Sequence, residues 1–184
     1  AENIYRKILK QIPDHPDALH MLGMLYYQTG KYDVSIKMID RLIDIQPNTA
    51  FYYCSRATVL TAIGDVTEAI VSYEKANSLQ PDLAEAYYNI GILQRQSCDY
   101  DSAIQSYEKV IGLKTDFVLS YNALGYVYRD IEQLEKAEIQ FRKSVEFRPQ
   151  HVESYLNLAN VLRERNRLDD AFIHYQKAIQ FDPH

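Results

Sequence analysis

The sequence predicts an all-α fold, a solenoid built from antiparallel helix pairs. Three observations carry this reading. Pro13, Pro47, Pro81, Pro149 and Pro183 fall on one 34-residue lattice, with Thr115 at the remaining place. Apolar and small residues recur between them at helical spacing, in the same register each time. A turn residue divides each period into two helical stretches.

Taken in order, residues 1–15 read as a half repeat that supplies only a second helix. Five repeats follow: 16–49, 50–83, 84–117, 118–151 and 152–184, the last one residue short. The stretch Ala69–Gly91 sets the rule. An amphipathic helix runs through Tyr73 and Ala76 to Leu79, and Pro81 stops it, because proline cannot continue a helix and pushes its predecessor out of the helical region. Asp82 is expected to cap the next helix, which opens toward Tyr87, Ile90 and Gly91. Asp14, Asn48, Asp116 and Gln150 occupy the same place.

Positions within a repeat are numbered here as slots 1 to 34. Slot 4 holds Leu19, Tyr53, Tyr87, Tyr121 and Tyr155, and slot 8 holds Gly23, Ala57, Gly91, Gly125 and Ala159. With slots 7 and 11 these form one face of a first helix. In the second helix, slot 20 is Ser35, Ala69, Ala103, Ala137 and Ala171, while slot 24 is Ile39, Tyr73, Tyr107, Phe141 and Tyr175. Rings opposite small residues predict interdigitated helices, and they explain 16 tyrosines beside no tryptophan. The turn at slot 15 wants a left-handed residue: Gly30 and Gly64 suit it and Asn166 is tolerable. Cys98 and Glu132 either change the turn or cost about 1 kcal/mol each relative to glycine.

The recurring aromatic or Leu, Leu-Gly, Tyr, Gly, Ala, aromatic, Ala and Pro resemble the tetratricopeptide repeat (TPR) family over essentially the whole chain. The resemblance implies a right-handed superhelix whose first helices line a concave groove. Closer likenesses are local. Ala86-Tyr87-Tyr88-Asn89-Ile90-Gly91 and Ser154-Tyr155-Leu156-Asn157-Leu158-Ala159-Asn160 resemble the asparagine ladder of O-linked N-acetylglucosamine transferases, although Met21, Ser55 and Ala123 interrupt it. The opening Ile4–Leu9 and His20–Gly23 runs resemble bacterial TPR glycosyltransferase-like proteins. Tyr52–Ala57 resembles the first helix of co-chaperone TPRs, with the Arg56 stem packed and its head at the edge.

Composition narrows the function classes. A chain 47% apolar and 24% charged is globular, and a net charge of −5 with pI ≈ 5.5 argues against a nucleic-acid face. No apolar run approaches the length of a membrane span, and no leader is visible. Cys54 and Cys98 are not expected to meet; free thiols fit a reducing, cytoplasmic setting. His15, His20, His151, His174 and His184 show no metal-ligand spacing, and no Gly-rich phosphate loop occurs. Neither enzyme activity, metal nor cofactor is expected of this segment.

The groove is the candidate site, facing slots 2, 5, 6, 9, 12 and 13. Slot 12 carries Arg95, Arg129 and Arg163, spaced roughly 10–20 Å apart if repeats stack at helix-packing distances. That exceeds a Debye length of about 8 Å, so the three can share one extended ligand and take its carboxylates or carbonyls. Asn89 and Asn157 at slot 6 and Asn160 at slot 9 donate and accept at once, which suits peptide backbone. Tyr27, Phe51, Tyr88 and Tyr126 add aromatic anchors.

The expected function is a non-catalytic scaffold that binds an extended protein or peptide segment and is excised from a larger protein. Alternatives are a substrate-recruiting arm of a glycosyltransferase-like enzyme and a self-assembling architectural solenoid. A co-chaperone clamp ranks low, because slot 2 carries Asp17, Phe51, Glu85, Leu119 and Glu153 rather than cations. Phe172, Tyr175, Ile179 and Phe181 on the last helix lack a following helix, so end-to-end self-association is expected.

Overall fold

A computed structural model describes residues 2–182 of the chain; Ala1, Pro183 and His184, including the last proline of the lattice, lie outside the described residues. Eleven helices are present among the described residues, and no strand. They are α1 (Glu2–Gln11), α2 (Pro16–Gln28), α3 (Tyr32–Ile45), α4 (Ala50–Ile63), α5 (Val66–Leu79), α6 (Ala84–Gln96), α7 (Tyr100–Leu113), α8 (Val118–Asp130), α9 (Leu134–Phe147), α10 (Val152–Glu164) and α11 (Leu168–Phe181). First helices begin at 16, 50, 84, 118 and 152, and second helices at 32, 66, 100, 134 and 168. None of the described helices is long and apolar enough to cross a membrane. The chain packs as two compact units, residues 1–86 and 87–184.

In the first unit α2 packs on α3 and α4 on α5. The Ser35 hydroxyl donates to the Gly23 carbonyl at 2.8 Å, and the missing Gly23 side chain leaves room for Ile39 and Met38. The Arg56 side chain is largely covered, and its guanidinium donates to Asp40 (2.9 Å), Glu68 (3.3 Å) and Ser72 (2.7 Å). In the second unit slot 4 meets slot 30, with Tyr121 on Phe147 (5.3 Å) and Tyr155 on Phe181 (5.6 Å). Slot 9 meets slot 24, with Tyr126 on Phe141 (5.5 Å) and Tyr175 bonded to Asn160 (2.7 Å). Early slots of one helix meet late slots of the other, so each pair runs antiparallel. The core of this unit holds Tyr107, Leu124, Val127, Phe141, Leu158 and Leu162.

All five inter-helix turns are the same turn. The slot 16 amide donates to the slot 11 carbonyl in every repeat: Lys31 to Tyr26, Asp65 to Leu60, Asp99 to Gln94, Gln133 to Tyr128 and Arg167 to Leu162, at 2.8–3.0 Å. This 6→1 closure requires a left-handed residue at slot 15. Gly30 and Gly64 supply it at φ 74° and 82°, and Cys98, Glu132 and Asn166 adopt it at φ 59°. Of the two outcomes open for Cys98 and Glu132, the turn is kept and the strain accepted.

The other junction departs from expectation in one detail. Helices end two residues before the lattice position, and the C-cap leaves the helical region: Gln46, Gln80 and Arg148, at φ −134°, −137° and −134° with ψ 70°, 93° and 83°, precede prolines. Lys114 adopts the same geometry (φ −138°, ψ 93°) ahead of Thr115, so proline is not required. The residues after the lattice position were expected to cap the first helices. Capping instead falls one residue later, on His15, Thr49, Phe117 and His151, and of these only His15 accepts an amide through its side chain (Ala18, 3.4 Å). Asp82 stands two residues ahead of α6. The extended link consumes one residue more than a tight turn would, which carries Asp14, Asn48, Asp116 and Gln150 past reach. Asp65 and Asp99 do cap second helices, accepting from Glu68 (3.2 Å) and Ser102 (3.3 Å).

Candidate functional site

Each unit carries its own share of the candidate residues on first helices. In the first unit the Tyr27 ring is half-buried, 6.0 Å from that of Tyr32. Phe51 is 59% exposed and lies 4.8 Å from the His20 ring. His20 Nε2 is 3.0 Å from the Ser55 hydroxyl, and burial lowers the histidine's pKa against the opposing charge of Asp17. Ser55 donates to the Phe51 carbonyl, and among the described residues no carboxylate bonds the imidazole, so this pair is a helix-packing contact.

The second unit gathers more. Tyr126 on α8 is the centre. Its hydroxyl donates to Asn157 Oδ1 at 2.7 Å and lies 3.2 Å from Glu153 Oε1, both on α10. The guanidinium carbons of Arg95 on α6 and Arg129 on α8 lie 5.3 and 5.2 Å from its ring centroid. Such contacts contribute about 0.5–1 kcal/mol at exposed sites. Tyr88 sits nearby on α6, its ring against Tyr107 (5.8 Å) and Phe117 (5.3 Å). Burial raises the Tyr88 pKa, with the charges of Glu153 and Tyr126 adding to it. Burial also raises that of Tyr126, the Asn157 bond opposing and Glu153 adding. Both phenols therefore stay protonated at neutral pH and can donate. The site offers hydrogen bonds, charge and aromatic faces.

The slot 12 arginines are not equivalent. Arg95 donates from Nε to Asp130 Oδ2 at 2.7 Å, and this bond raises its pKa further. Among the described residues Arg129 has its ring contact and no ion pair, and Arg163 is exposed with no ion pair. A hollow of about 290 Å³ opens beside the Arg95–Asp130 pair, lined also by Ile92, Gln96 and Tyr107. The asparagines differ too. Asn157 is 5% exposed; its Oδ1 accepts from Tyr126 of the preceding repeat, and its Nδ2 lacks a partner. Asn160 accepts from Tyr175, while Asn89 is half-buried. The structure thus brings Tyr88, Arg95, Tyr126, Arg129 and Asn157 together.

Sequence reasoning passed over Asp130 and Glu153. The first had a readable signal, since Arg95 and Asp130 stand 35 residues apart at slots 12 and 13 of consecutive repeats. A second omission lies between the start of α9 and the α10–α11 turn. Glu138 is buried and bonded by Arg142, Arg165 and Arg167.

Comparison with known proteins agrees with this architecture. Family patterns described as tetratricopeptide repeat match residues 1–53, 84–117 and 119–183, and one described as TPR repeat matches 57–97. No curated protein sequence matches the chain. Among solved structures, a crystal structure of MamA is 23% identical with a TM-score of 0.81, covering 88% of this chain and 95% of its own. PilF of Pseudomonas aeruginosa is 21% identical with a TM-score of 0.77, covering 90% and 76%. YrrB, described as a TPR protein with an unusual peptide-binding site, is 16% identical with a TM-score of 0.75, covering 100% and 94%. At such identities the likeness is one of fold. Matches along nearly the whole length, on helix pairs that restart every 34 residues, make this chain a member of the tetratricopeptide repeat family.

Proposed function

We propose that the chain is a non-catalytic scaffold of five repeats that holds an extended protein segment against its first helices. The observation that carries this is the Tyr126 cluster. An aromatic ring, two guanidiniums, a carboxylate and an amide converge from α6, α8 and α10, and Tyr126 and Arg129 are only half-buried. Arginine and aromatic side chains of this kind anchor interfaces, and an amide pairs with peptide backbone whatever its sequence. The peptide-binding site attributed to YrrB adds support from the same fold. In the first unit, Phe51 and Tyr27 supply the aromatic surface for the same role, and Asn89, Asn160 and Arg163 extend the face in the second.

Selection of random displayed peptides on the purified chain, followed by fluorescence anisotropy, tests the reading. Tyr126→Ala combined with Arg129→Ala is expected to weaken a selected peptide by about tenfold or more, the scale of losing interface anchors. Unchanged affinity in that variant removes the face from consideration.

A second reading, association between copies, is favoured by α11. Phe172 and Ile179 are 61% and 62% exposed, and Leu168 and Ile173 are exposed beside them. Such a face is characteristic of an interaction surface.

A further inference from the structure

Two successive pairs of first helices in the second unit offer the same ion pair in the same register, and only one is made. Arg95 on α6 reaches Asp130 on α8 at 2.7 Å. Arg129 stands 34 residues after Arg95, and Glu164 stands 34 after Asp130, on helices that begin at 84, 118 and 152. Arg129 nevertheless forms no ion pair among the described residues, and Glu164 is exposed without one. The two repeats also differ three residues back from each arginine. That slot is Ile92 in the third repeat and Tyr126 in the fourth, and residues three apart share a helix face. The Arg129 guanidinium settles on the Tyr126 ring of its own helix, 5.2 Å from the centroid.

A ring contact of this kind forms no conventional hydrogen bond, and no N–H of Arg129 forms one among the described residues. Arg129 is thus held in place by its ring and keeps its donors for something else. Arg95 touches the same ring but spends its Nε donor on Asp130. Beside Tyr126, Asn157 is 95% buried and carries an amide donor with no partner, roofed by the Tyr126 hydroxyl.

We propose that this open pair reads the bound segment by charge: Arg129 takes an acidic side chain and Glu164 a basic side chain of one extended peptide. The inference rests on the scaffold reading above. A carboxylate gains charge-assisted bonds from Arg129 that the ring cannot give, and a ligand cation meets in Glu164 an acceptor that forms no ion pair among the described residues. The Arg95–Asp130 pair, already mutually neutralised, adds position rather than charge preference.

The test is peptide selection on the wild-type chain and on Arg129→Glu/Glu164→Arg, with Asp14→Arg/Arg41→Asp as control. The control exchanges an exposed ion pair (2.6 Å) outside the face. All variants are checked for helical content and melting, and Arg129→Gln and Glu164→Gln serve if the double exchange misfolds. Wild type is expected to select peptides with neighbouring acidic and basic residues, and the exchanged variant to select the two charges in reversed order. A wild-type peptide should bind the exchanged variant about tenfold more weakly and the control unchanged, as expected for charges facing like charges. Identical selections on both proteins overturn the inference. So do face-dependent peptides with no charge preference, which leave the scaffold reading standing; failure to select any peptide that depends on Tyr126 sinks both.

Discussion

At the residue scale, the slot 8 glycines and slot 4 tyrosines hold the pairs together. A Cβ on Gly125 would lie 2.6 Å from the Phe141 ring, and one on Gly91 2.7 Å from the Tyr107 ring. Gly125→Ala is therefore expected to destabilise by about 1–2 kcal/mol, overpacking being offset in part by alanine's better helix propensity. Gly112, in α7 with nothing within 4 Å, is the matched contrast. Gly112→Ala is expected to stabilise by about 0.5–1 kcal/mol, and urea unfolding midpoints separate the two signs. The tyrosines do more than fill space. The Tyr53, Tyr121 and Tyr155 hydroxyls donate to the carbonyls of Pro47, Thr115 and Pro149, each six residues back, at 2.9–3.0 Å. This tie holds the extended link before α4, α8 and α10, and it explains why Thr115 serves where proline was expected. Tyr121→Phe is expected to cost about 0.5–1.5 kcal/mol, the net worth of one hydrogen bond, in the same unfolding assay. The small-versus-ring alternation was legible in the sequence. The hydroxyl-to-carbonyl tie was not, because nothing in a hydrophobic pattern separates tyrosine from phenylalanine.

At the scale of elements, α9 and α10 are joined by charge at their ends. Glu138, only 5% exposed, accepts from Arg142 and Arg167 at 2.8 Å and from Arg165. Burial alone would raise its pKa. The Arg142 and Arg167 bonds outweigh burial and hold the carboxyl below its ordinary 4.5. A depressed carboxylate contributes stability above its unfolded pKa and loses it as pH falls through the folded value. Glu138→Gln is therefore expected to cost about 2–3 kcal/mol at neutral pH, less than a fully buried pair because the arginines are partly exposed. The gap between variant and wild type should close as pH is lowered below 4.5, read from thermal melts over pH 3 to 7. A constant gap would show that Glu138 acts through packing. Only the Glu138–Arg142 arm, an i,i+4 pair, has a spacing the chain itself marks. Glu138 and its two distant arginines stand 27 and 29 residues apart, a spacing no repeat pattern marks.

At the scale of the whole molecule, a net charge of −5 hides a local arrangement in which cations and anions alternate along the first helices of the second unit. The apolar face of α11 is the counterpart at the other extreme, and Phe172→Glu with Ile179→Glu is expected to abolish any concentration-dependent mass in light scattering. A wild-type chain that stays monomeric at every concentration removes that second reading. By itself the sequence determined the helix pairs, their 34-residue period, the turn at slot 15 and the small-against-ring contacts. These follow from local propensity and from periodic burial, which a linear pattern records. Only the tertiary structure decided which polar residues are already spoken for. Arg95 is spent on Asp130 while Arg129 is not, Asn157 is buried under Tyr126, and Glu138 gathers three arginines. Those outcomes depend on where side chains from helices about 30 residues apart meet, and on a competition between near-equal contacts that only their shared geometry resolves.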